Sequence, residues 1–213
     1  MKPLLYGILM IVSVASCQTK ESDEPSKIIE KTEVKEPISW IIPTGKTIET
    51  RFNTPEGFTR INSESSSFVL YLRNLPLKAD GSEVKTFSGE IKPNYQTYLA
   101  VVDLPIGKKD LHQCADAIMR LRAEYLFSQS RFNEISFRQA SGKTLSYSTW
   151  LAGRTADKTN LWTYLETVFN TANTTSLNQQ LTSKPIESLE VGDVFITGPP
   201  RGQSYGHAII VVD

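Results

Sequence analysis

The first 39 residues of this chain are predicted to contribute nothing to a folded core, and that fixes what the remainder can become. They open MKPLLYGILMIVSVASC, with one positive charge at Lys2, an apolar run from Leu4 to Val12, and small residues leading to Cys17. This layout is that of an export segment that is cut away. The run is shorter than the roughly 20 apolar residues a bilayer-spanning helix needs. From Lys20 to Glu36, ten of seventeen residues are charged and only Ile28, Ile29 and Val34 are sizeable hydrophobes, so the segment is predicted to be a solvated tether. Folding is predicted to start near Trp40, which leaves about 170 residues, the size of one ordinary domain.

Val14-Ala15-Ser16-Cys17 resembles the lipobox read by bacterial lipoprotein signal peptidase. The resemblance implies a signal peptide over residues 1–16, lipid on Cys17, and a tether over 17–39 that holds a domain at 40–213 to a membrane. The acidic residues Glu21, Asp23 and Glu24 resemble the surface-export signal of some Gram-negative lipoproteins, and a plain solvated linker accounts for the same charges. The expected location is the cell envelope, anchored in the outer membrane, on either its periplasmic or its surface face.

Lys2 is the only charged residue before Cys17, so cleavage leaves 22 basic against 23 acidic residues. A balance this even gives no electrostatic case for a nucleic-acid partner. With Cys17 committed to lipid, Cys114 is the only remaining thiol, and a disulfide within one chain is excluded. A lone thiol in an oxidising compartment is either buried or used.

Ser67–Leu75 (SFVLYLRNL) and Thr97–Leu104 (TYLAVVDL) read as strands, being rich in β-branched and aromatic residues and bounded by turn formers. Asp110–Phe127 reads as a helix capped by Asp110, with an apolar stripe of Cys114, Ala117, Ile118, Leu121 and Tyr125. A strand at Glu134–Arg138, a helix at Lys158–Asn170 with Leu161, Leu165 and Phe169 in register, and a short helical piece at Ser176–Leu181 follow. Two strands, Asp193–Ile196 and Ala208–Val212, are joined by the loop TGPPRGQSYGH. Strands, a long helix and further strands give an α+β class. The chain stops at Asp213, directly after an aliphatic strand with nothing to cover it, so the sequence is expected to be C-terminally truncated.

The candidates for chemistry are few: Cys114, His112 and His207. Cys114 is predicted in the first turn of its helix, where unpaired N–H groups and the macrodipole favour an anion and can hold a developing oxyanion. His207 opens the last strand and shares a face with Ile209 and Val211. A helix-start thiol facing a sheet-borne imidazole is an arrangement that activates a nucleophile. A buried small hydrophobe at Cys114 and a structural histidine beside a glycine turn at His207 are the alternatives. His112, two residues from Cys114, is expected to point away around the helix.

Gly192–Asp213 (GDVFITGPPRGQSYGHAIIVVD) resembles the GD…GH strand pair of NlpC-type and CHAP-type cell-wall peptidases. That resemblance implies a papain-like helix on an antiparallel sheet, Cys114 as nucleophile, His207 as base, and a third polar residue on a later strand, beyond Asp213. Gln113 stands where those families commonly carry Asp, and 93 positions separate Cys114 from His207. Gln113–Leu126 (QCADAIMRLRAEYL), Ser176-Leu177, GDVFI and GHAIIVVD are similar to the pattern of uncharacterised bacterial lipoproteins called domain of unknown function 4846. Together these resemblances imply a cysteine hydrolase or amidase acting on peptide or peptidoglycan amide bonds, or a non-catalytic binding or scaffold lipoprotein that keeps the fold.

Arg120, Arg122 and Glu124 read as a solvated or salt-bridged helix face. Trp40, Trp150 and Trp162 read as core anchors. Neither histidine has a partner at metal-ligand spacing, and the proline-containing GPPRGQSYG loop is no phosphate cradle, so no metal and no cofactor are expected.

Overall fold

The computed structural model describes residues 39–93, 97–198 and 206–213. The expected signal segment, Cys17 and the tether lie outside these residues, as does most of the loop before His207. Residues 38–213 form one unit.

Helices and small antiparallel sheets alternate, so the class is α+β. In chain order the elements are α1 (Ile48–Arg51), α2 (Phe68–Arg73), α3 (Cys114–Ser128), β1 (Ser136–Arg138), β2 (Thr144–Ser146), α4 (Tyr147–Leu151), α5 (Lys158–Thr171), α6 (Thr174–Gln180), β3 (Val194–Thr197) and β4 (His207–Ile210). β1 pairs with β2, and β3 with β4, both antiparallel. Opposite one another in the second pair stand Val194 and Ile210, Phe195 and Ile209, Ile196 and Ala208, and Thr197 and His207.

α3 is the organising element. Ala115, Ile118, Met119, Ala123, Tyr125 and Leu126 enter the main core with Tyr147, Leu161, Tyr164, Leu165, Val168, Leu177 and Ala208. Leu121, on another side of the same helix, joins Ile48, Leu72, Leu75 and Leu77 in a second cluster. A helix packed on two sides buries more than the single stripe read from sequence: Ala115, Met119 and Ala123 are buried too. α5 lies where its periodicity predicts, with Leu161, Leu165 and Phe169 buried and Asp157 capping it through the Asn160 N–H.

Two predicted strands are not strands. Ser67–Leu75 is instead built around α2, because the Ser67 side chain accepts from the Leu70 N–H and nucleates a helical turn that outweighs the β-rich composition. Thr97–Leu104 meets its neighbour only at an isolated bridge between Leu77 and Val102. Proline follows at Pro105 and precedes Leu77 at Pro76, which leaves no room for a longer ladder. β2 and α4 were not read from the sequence; the predicted strand at Glu134–Arg138 shortens to Ser136–Arg138 behind a 3-10 turn at Phe132–Glu134.

Candidate functional site

Cys114 is the first residue of α3, half-buried, and the free thiol among the described residues. The helix starts later than predicted. Its N-cap is Gln113 rather than Asp110, and the Gln113 N–H donates to Asp116 Oδ2 at 3.0 Å. Burial pushes the Asp116 carboxyl up to about 6, against the lowering effect of that bond.

His207 is the first residue of β4, which packs against α3 through Ala208 and Ile210. The residue before it could be nothing bulkier than glycine. A Cβ on Gly206 would sit 2.4 Å from the Thr197 carbonyl oxygen and 3.1 Å from Thr174 Cγ2. That close approach holds the strand start against the beginning of α6.

His112, just ahead of Cys114, meets Phe169 of α5 edge-on with ring centroids 5.6 Å apart. The pleat divides the strand: Ala208 is 4 % exposed on the core side, whereas His207 and Ile209, the latter 57 % exposed, face outward. Among the described residues no hydrogen bond joins Cys114 to His207.

His112 precedes α3 instead of lying on it. Its ring is packed against Phe169 and its buried Nε2 has no hydrogen-bond partner among the described residues. Burial, reinforced by the Arg120 charge, lowers its pKa to about 4, so the imidazole is neutral at pH 7. Asp213 is committed elsewhere: its two oxygens accept from Arg73 Nε and Arg60 Nε, each at 2.7 Å. Burial opposes its ionisation, but these two arginines hold its carboxyl below the usual range.

Of the two alternatives for the charged face of α3, the salt-bridged one holds for Arg120, which is 3 % exposed and donates to Glu124 at 2.7 Å; it also donates to the Pro105 carbonyl at 2.6 Å with its guanidinium over Trp162. Its side chain spans from the helix to the irregular segment before it, a role that spacing along α3 does not signal. Trp150 and Trp162 pack against the main core, but Trp40 is 61 % exposed and anchors nothing.

Among the described residues no cluster of three His, Cys, Asp or Glu side chains could hold a metal ion. No helix among them is long and apolar enough to cross a membrane. No curated protein and no solved structure matches the chain. A family model does, over residues 48–159 and 154–213, most of the chain and nearly all of the described domain. The chain therefore belongs to the family described as Domain of unknown function (4846).

Proposed function

We propose that this protein is a lipid-anchored component of the cell envelope, held to the outer membrane through Cys17, whose domain is a papain-like cysteine hydrolase or amidase acting on peptide or peptidoglycan amide bonds. The observation that carries the reading is local. The half-buried thiol opens α3, and β4, the strand that His207 begins, packs on that helix with Ala208 in the core.

In this reading the Cys114 sulfur attacks the carbonyl carbon while His207 takes the thiol proton. The N–H of Cys114, free of an intrahelical acceptor at the helix start, donates to the oxyanion. His207 then returns the proton to the leaving amine, and water hydrolyses the thioester. His207 is exposed, so its ring can turn about χ1, and bonds of this kind commonly tighten only with substrate bound.

Incubating the protein with purified muropeptides and following amide cleavage by mass spectrometry tests it. Cleavage that falls by about a thousandfold in Cys114→Ala, with unchanged thermal stability, is expected for loss of a nucleophile. Equal cleavage by the variant would refute the assignment. The anchor is tested separately: Cys17→Ala should move the protein out of the membrane fraction.

A second reading has its own observation. β4 turns Ala208, not His207, toward α3, and Asp213 is occupied by Arg60 and Arg73, which suits an envelope binding or scaffold module that keeps the fold without the chemistry. Full complementation of a deletion strain by Cys114→Ala would favour it.

A further inference from the structure

Two turns along α3 from Cys114, Arg122 lines a pocket of about 360 Å³. Its walls are apolar: Ile118, Met119 and Leu126 of α3, Phe137 of β1, Leu177 of α6 and Ile210 of β4. The volume lies in the lower part of the range of small-ligand sites, roughly 300–1,000 Å³.

Glu134, Ser136 and Gln180 also line it, and two of these are committed. Both Glu134 oxygens accept from Arg131, at 2.5 Å each, which neutralises that pair. The Gln180 side chain donates to the Ser136 carbonyl and accepts from the Arg138 N–H, both at 2.8 Å, and so closes the outer edge of β1. With Glu134 offset by Arg131, Arg122 is the charged group of the pocket that has no hydrogen-bonded counter-ion among the described residues.

Arg122 is unlike the other arginines packed into this domain. Arg51, Arg60, Arg73 and Arg120 each donate to a backbone carbonyl and to a carboxylate. Arg122 is half-buried with its guanidinium 5.1 Å from the centre of the Phe68 ring and 5.4 Å from that of Tyr125, and among the described residues it makes no hydrogen bond. Five planar N–H donors are thus held in a partly desolvated setting by two ring faces, with the Glu134 carboxylate acting on the cation through charge and no hydrogen bond. A carboxylate matches that fork bidentately and offsets the desolvation of the cation.

We propose that this pocket binds a small apolar carboxylic acid, with Arg122 clasping the carboxylate and Met119, Leu126, Phe137 and Leu177 surrounding the hydrocarbon body. A fatty acid and the C-terminus of a short apolar peptide share this chemistry. The site does not depend on Cys114 or His207, so it stands or falls apart from the hydrolase reading.

The test is a titration of the full chain, labelled with 13C at its methionine methyls, with octanoate, octanamide and N-acetyl-leucyl-leucine. Met119 is the methionine at the pocket; the others are Met1 and Met10. Octanoate is expected to shift the Met119 resonance saturably and to bind at least tenfold more tightly than octanamide. Arg122→Gln should abolish that preference, and Arg122→Lys should keep part of it. Tighter binding of the acetylated dipeptide than of octanoate identifies a peptide terminus as the ligand source, and weaker binding identifies a fatty acid. Equal affinity for octanoate and octanamide in the unsubstituted protein, or no response of Met119 to either acid, would overturn the proposal even if Arg122→Gln failed to fold.

Discussion

Residues 39–104 and residues 114–213 are held together by different means. The later region is built from regular elements around an aromatic and aliphatic core in which Tyr147, Tyr164 and Leu165 are fully buried. The earlier region has two short helices and isolated bridges, and its loops are tied by arginines. Arg51, 2 % exposed, donates to the carbonyls of Gly45 at 2.8 Å and Lys78 at 3.1 Å. Arg60 donates to the carbonyl of Phe52 at 2.7 Å, and Arg73 to that of Ile61 at 2.9 Å. Loop carbonyls shielded from water need a donor, as that of the buried Gly45 does; where helices and sheets do not supply one, guanidinium groups do. The lesson is that one domain can satisfy its backbone by periodic ladders at one end and by long cationic side chains at the other.

That contrast can be broken by substitution. Leu165→Ala should cost the most, about 3–4 kcal/mol, because Leu165 is fully enclosed and leaves a cavity. Denaturant unfolding with hydrogen exchange would read it, with α3 and α5 both losing protection. Arg51→Met should cost about 2–3 kcal/mol by leaving two loop carbonyls without their donor. Its exchange pattern should differ, with residues 39–104 opening first while α5 stays protected. The loop around Gly45 has no slack to accommodate the loss, since a Cβ there would lie 2.2 Å from the Thr50 carbonyl oxygen. Equal loss of protection across both regions in Arg51→Met would break the distinction.

Asp157→Ala should lower stability by about 1 kcal/mol through the lost cap of α5, seen as a fall of about 2–4 °C in Tm. The last effect concerns pH. His112 titrates near 4 in the folded protein, below its ordinary 6.5, so its contribution to stability is full above pH 6.5 and is lost as pH falls toward 4. Asp116, raised to about 6, acts in the opposite sense, favouring the fold below its ordinary pKa and losing that contribution as pH rises through 6. The difference between His112→Gln and the unsubstituted protein cancels the Asp116 contribution. The variant's Tm should gain on the parent's by a few degrees between pH 6.5 and 4. A constant difference across that range would show that His112 is not the titrating group.

What could be read from the sequence follows the same division. α3 and α5 were legible because burial against a core imposes period 3.6 on their apolar residues, and the β3–β4 pair because two short hydrophobic runs flank a loop rich in Gly and Pro. Both misread segments, Ser67–Leu75 and Thr97–Leu104, lie in the region held by arginines. There a single hydroxyl cap or two flanking prolines decide the backbone, and composition misleads. The arginine contacts themselves were out of reach: Arg60 and Asp213 stand 153 residues apart. Cys114 and His207 could be singled out because thiols and imidazoles are scarce in this chain, whereas the outward pleat of His207 depends on which strand residues α3 covers. Arg122 offered no signal, since a helix arginine beside a glutamate reads as an ordinary surface residue.

The enzymatic account rests on His207 activating the Cys114 thiol, and the rate of Cys114 alkylation by iodoacetamide as a function of pH measures that directly. Peptide mass spectrometry reports the Cys114 site by itself, in the unsubstituted protein and in His207→Ala. The account expects alkylation at pH 7 at least tenfold faster than that of free cysteine, falling to or below the free-cysteine rate in His207→Ala. A Cys114 that reacts no faster than free cysteine, with the same pH profile in both proteins, would contradict it.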